Sequence, residues 1–232
     1  MIENEGRAAA PIDKGMAHIK DLLAQMGELT HQAIGDAVDA LIRHDVLSAA
    51  RVIARNSRVD ELNTAVEREC LRLIALTAPG PADLQEILAA FKVAFLLERL
   101  GNCTARIAEQ VPKTSGFDHK LSIQILENMS LKTAALVAAV LKGVAHKNAP
   151  ASESLRKNDE VELLQDDLFQ ELLEMMSNNP KSISSSTSVL LVAQKLMRIC
   201  DHAANIARAS RHVCAAEMQQ LPVQAVSVGG RA

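Results

Sequence analysis

The chain repeats itself. The stretch Phe91 to Glu109 and the stretch Leu190 to Arg208 align when shifted by about a hundred residues, with Val93 on Val192, Ala94 on Ala193, Arg99 on Arg198, Ala105 on Ala204, Ile107 on Ile206 and Ala108 on Ala207. A chain duplicated at that period must fold as two copies of one unit, so it is enough to read the fold of a single copy.

The unit is helical. Among 232 residues, 48% are hydrophobic, yet Trp and Tyr are absent and Phe occurs four times. Ala, Leu, Val and Met therefore fill the core, a composition that favours interlocking helices over sheets. Apolar residues recur at helical steps: Ile19, Leu22, Leu23, Met26, Leu29, Ala33, Ile34, Ala37, Val38 and Leu41 in a first helix starting near Pro11 or Asp13, then Val52, Ile53, Val59, Leu62, Val66, Leu73 and Leu76 in a second. Asp45 predicts the cap of that second helix, and TAPGP at Thr77 to Pro81 its end. A third helix opens at Asp83, with Leu84, Leu88, Phe91 and Phe95 as its expected core stripe, running on into Glu98 and Asn102. Leu121 to Val144, Glu153 to Met176 and a segment after the turn SNNPKSIS repeat the scheme.

The expected fold is all-α: two tandem three-helix bundles related by internal duplication. The expected domains are a flexible lead over 1–11, a first repeat over 12–113, a second over 117–215 and a disordered tail over 216–232. The net charge of −3 comes from interspersed acids and bases without a basic run, which argues against nucleic-acid binding. Cys70, Cys103, Cys200 and Cys214 lack metal or redox spacing and read as reduced, buried thiols. The first residues lack the pattern of a signal peptide and no apolar run looks long enough for a bilayer, so a cytosolic protein is expected.

Glu98 raises a cost, because a carboxylate on a core stripe needs a partner; an arginine, or the wet end of the bundle, is the simplest supply. Arg99 and Arg198, equivalent in the two copies, are expected to make a salt bridge across each bundle. A ferritin-like di-metal oxidase would need two ExxH steps, and only Glu28 to His31 has one. His18 is a poor phosphotransfer site, and no nucleophile triad or phosphate loop is visible. The chain reads as a non-enzyme, with a metal-binding helical bundle or metal-dependent oxidase as the alternative.

The order VDELN, a Pro-containing break, DLQ, ERLGN and IAE, followed by DEVELL and MRICDHAANIA, resembles the PhoU family of bacterial phosphate-uptake regulators. The match runs from about His18 to Val213, and RICDHAANIA carries its most specific part. The resemblance implies six helices in two bundles, with ExxxD and DxxxD pairs holding metal on the surface. It further implies a signalling adaptor between the phosphate ABC transporter, through its ATPase subunit, and a membrane sensor histidine kinase. A homodimer without membrane insertion is the expected assembly.

Each of the four acidic motifs is half missing. Asn56 and Asp60 stand for the first DxxxD pair, Glu98 and Asn102 for its ExxxD partner, Asn158 and Glu162 for the second DxxxD pair with Asp159 as an alternative, and Met197 and Asp201 for the last. Residues four apart project from one helix face, so facing pairs can surround a hard cation; two acids per site hold it less well than four, and a thioether suits neither Mg²⁺ nor Ca²⁺. The expectation is a weak or lost metal site built on Asp60, Glu98, Glu162 and Asp201, with Asn102 and His202 as additional ligands and no required cofactor. His202 reads otherwise as a hydrogen-bonded packing residue.

Overall fold

The computed structural model describes the backbone of residues 5–145 and 151–216, and the side chains of residues 11–145 and 158–210. Six long helices account for almost all of it: α1 (Glu5–Ile42), α2 (Val46–Thr77), α3 (Pro81–Ala108), α4 (Lys120–Ala145), α5 (Ala151–Asn178) and α6 (Ile183–Ala216). No strand occurs among the described residues. The proposed tail beyond Ala216 lies outside them.

Local chemistry sets the boundaries. Asp45 caps α2, its Oδ1 accepting from the Leu47 and Ser48 amides at 3.0 Å each while Ser48 Oγ donates to its Oδ2 at 2.6 Å. These bonds, the Ser48 hydroxyl first, hold the Asp45 carboxyl below its usual range. Pro81 occupies the first turn of α3, where its missing N–H costs nothing, and Asp83 faces the positive helix end. Between the repeats, a short 3₁₀ turn (Val111–Thr114) and Gly116, at φ 78°, reverse the chain. The start of α1 differs from expectation: it begins at Glu5, leaving Pro11 inside the helix near its N-terminal end.

Each repeat is a bundle of three mutually packed helices, α1–α3 and α4–α6. Two contacts join them into one body: α3 packs along α6, and α1 meets α4. At the second contact Gly27 of α1 lies under Leu141 of α4, whose Cδ2 would stand 2.9 Å from any Cβ added there. The core runs through both bundles without a break, from Ile19, Met26 and Ile34 to Leu97 and Leu100, and on through Leu126, Met129, Leu168, Val192 and Ile199.

The expected core stripe of α3 is corrected. Ile87, Ala90, Val93, Ala94, Leu97 and Leu100 face inward, whereas Leu88, Phe91 and Phe95 are 52%, 38% and 41% exposed. Both stripes have helical spacing, so periodicity alone could not choose between them. Ile53 and Leu76, assigned to the core of α2, are likewise exposed. A second correction concerns α4, which by length and hydropathy is apolar enough to cross a bilayer. Its Leu126, Met129, Leu136, Val137 and Val140 are buried within the protein, where α4 packs on α1, α5 and α6.

Candidate functional site

The degenerate acidic motifs of the first repeat meet between α2 and α3 as a ladder of amides around one carboxylate. Asn102 Nδ2 donates to Glu98 Oε1 at 3.1 Å, and Asn63 Nδ2 donates to Glu98 Oε2 at 3.1 Å. Asn56 Nδ2 extends the ladder to Asn102 Oδ1 at 2.9 Å, and Asn63 reaches Glu67 Oε1 at 3.4 Å. Gly101 makes room for it, since a Cβ there would stand 2.5 Å from Asn56 Oδ1.

Glu98, half-buried, is therefore satisfied by two neutral donors and not by an arginine, which is one of the two supplies the sequence suggests. Each of its oxygens accepts an N–H, which offsets desolvation without any counter-charge. A metal ion at this carboxylate would have to displace those donors. Asp60, the acid assigned to the motif, is exposed, and Asn63 holds the inward place. Three residues turn a helix by about 300°, so Asp60 sits about 60° around α2 from Asn63. The clue was present: Asn56 and Asn63 are seven residues apart, two turns on one stripe.

In the second repeat the assigned residues do not converge. Glu162, Asp159 and Asp201 are exposed, and Asn158 and Met197 are half-buried. Asn158 Oδ1 is enclosed without a hydrogen-bond partner, as are Asn56 Oδ1 and Asn63 Oδ1. Among the described residues no three or more His, Cys, Asp or Glu side chains gather as a metal cluster would require. The donor set does not fit the multi-acid metal centre that the motifs imply in their full form.

His202 and the arginines also differ from expectation. His202 Nδ1 is enclosed and has no hydrogen-bond partner. Burial pushes its pKa below the ordinary range, Asp201 opposes the shift, and Arg99 and Arg198 add to it. Among the described residues neither arginine forms a salt bridge; Arg99 instead stacks on Phe95, with Cζ 5.0 Å from the ring centroid. Burial raises the thiols of Cys70 and Cys200 to about 11 and also pushes that of Cys103 up, with Lys195, Arg198 and Arg99 opposing at Cys103. All three cysteines are buried; the side chain of Cys214 lies outside the described residues.

Fold and site together define a duplicated three-helix scaffold whose first-repeat motifs form an amide ladder around Glu98 between α2 and α3. The PhoU domain matches residues 23–111 and again 126–210. The chain is similar to the "phosphate-specific transport system accessory protein PhoU homolog" of Caulobacter vibrioides strain NA1000, 32% identical over 198 residues, 83% of this chain and 84% of that one. The protein so named from Zymomonas mobilis is 30% identical over 203 residues, 87% and 86% of the two chains. Among solved structures, PhoU from Pseudomonas aeruginosa superposes with a TM-score of 0.80 at 23% identity, covering 87% of this chain and 98% of that one. The phosphate transport system regulatory protein PhoU from Streptococcus pneumoniae gives 0.79 at 23%, with 90% and 100% covered. The chain belongs to the PhoU family.

Proposed function

We propose that this protein is a cytosolic, non-catalytic regulator of phosphate uptake, docking on the phosphate transporter's ATPase subunit and on a sensor kinase to hold the starvation response off when phosphate is plentiful. The supporting observation is the 30–32% identity, over more than four fifths of both chains, to proteins named as accessory to phosphate-specific transport. The test is genetic. Deleting the gene should switch on starvation-responsive transcription in phosphate-rich medium, and restoring the chain should silence it. Unchanged transcription on deletion would end the proposal.

The reading includes divalent metal held weakly or not at all, because Glu98 is engaged by amides and Asp60 and Asp201 point outward. Elemental analysis of the purified chain should find substoichiometric Mg, Mn, Fe and Zn. Stoichiometric metal that survives dialysis would overturn this part.

A further inference from the structure

The α3/α6 face combines three features that its own bundle leaves without a use. The first is charge. Lys92, Arg99, Lys195 and Arg198 make no ion pair among the described residues, and Arg106, farther along α3, is held by Glu109 at 2.8 Å. The second is grease: Leu88, Phe91 and Phe95 on α3 and Leu191 on α6, the last 40% exposed. The third is a half-buried ring, His202, whose enclosed Nδ1 has no partner.

These groups share one place. The two helices pack on each other, and Leu88, Lys92, Phe95 and Arg99 on α3 and Leu191, Lys195, Arg198 and His202 on α6 recur at steps of four and three, each set forming one stripe of its helix. Arg99 and Arg198 are equivalent in the duplication, which sets one from each repeat beside the seam. Phe95 lies one helical turn before Arg99 and touches its guanidinium, so the apolar strip adjoins the charged one. From Leu88 to Arg106, α3 offers about 27 Å of axis, the length of about five turns of a partner helix.

Unpaired cations beside exposed aromatics point to an occupant with acids next to apolar side chains. A second copy would set cations on cations across a shared two-fold. Residues 217–232 of this chain carry one acid, Glu217, and one base, Arg231, so they do not complement the groove. We infer that the α3/α6 face is the docking surface for an acidic amphipathic helix of a partner protein, with Arg99, Lys195 and Arg198 receiving its carboxylates and Phe91 and Phe95 its apolar stripe.

This inference rests on the regulatory reading above, and the two fail differently in one experiment. The purified transporter ATPase subunit is titrated against the full chain, R99E/R198E, Phe95→Ser and the α4 surface control Lys142→Glu, all first shown to keep the helical spectrum and melting temperature. The expected result is binding by the full chain and the control, with affinity falling as salt rises. R99E/R198E should bind at least about tenfold more weakly, and Phe95→Ser should lose affinity too. Equal binding by R99E/R198E, or wild-type affinity indifferent to salt, overturns the docking face and leaves the regulatory reading intact. No binding by the wild-type chain overturns both.

Discussion

Glu98 carries its charge half-buried because Asn63 and Asn102 each hand it an N–H, and that arrangement sets what substitution should do. Asn63→Leu removes a donor from a half-buried carboxylate and should cost about 1–3 kcal/mol, measured by urea denaturation. Asn63→Asp is more informative. It would place a third carboxylate beside Glu98 and Glu67, so stability should fall at neutral pH and recover on adding Mn²⁺ or Mg²⁺, while the wild-type melting temperature barely responds. His202 gives a pH signature. Its folded-state pKa is depressed, by burial first and then by Arg99 and Arg198 against Asp201, so the unfolded chain takes the proton earlier as pH falls. It therefore draws stability away below about pH 6.5 and has no such effect near pH 8. Melting temperatures measured from about pH 8 to about pH 5 should slope less in His202→Gln than in the wild type.

Helices were legible from their punctuation. Asp45, Pro81 and the break at Pro112 to Gly116 each act locally, through caps and fixed torsions, and the elements begin and end within a few residues of those signals. Faces were less legible. On α3 the stripe through Leu88 and Phe95 and the stripe through Ile87 and Leu97 have equal claims to the core until the neighbouring helices are in place. The site suffered the same ambiguity: Asp60 and Asn63 differ only in which way α2 is rotated, and its packing on α1 and α3 decides that. Helix-to-helix approach was invisible, since Gly27 reads as a weak point of α1 until Leu141 of α4 is seen resting on it. Gly27→Leu should force those two helices apart and lower stability by about 1–3 kcal/mol in chemical denaturation, more than its gain in helix propensity returns.

At the scale of the molecule, α3 against α6 and α1 against α4 make two repeats into one body with one core. Calorimetry should accordingly show a single cooperative transition, and two resolved transitions would mean the bundles melt independently. One seam then serves two ends: its inner side closes the core, and its outer side presents cations from both copies and the phenylalanines of α3. Radical footprinting of side chains in the presence of the transporter ATPase subunit examines that outer side directly. Protection of Phe91 and Phe95 is expected, with Phe169 on α5, comparably exposed, remaining as reactive as in the free protein. The reverse pattern, Phe169 shielded and both α3 phenylalanines untouched, would contradict the account.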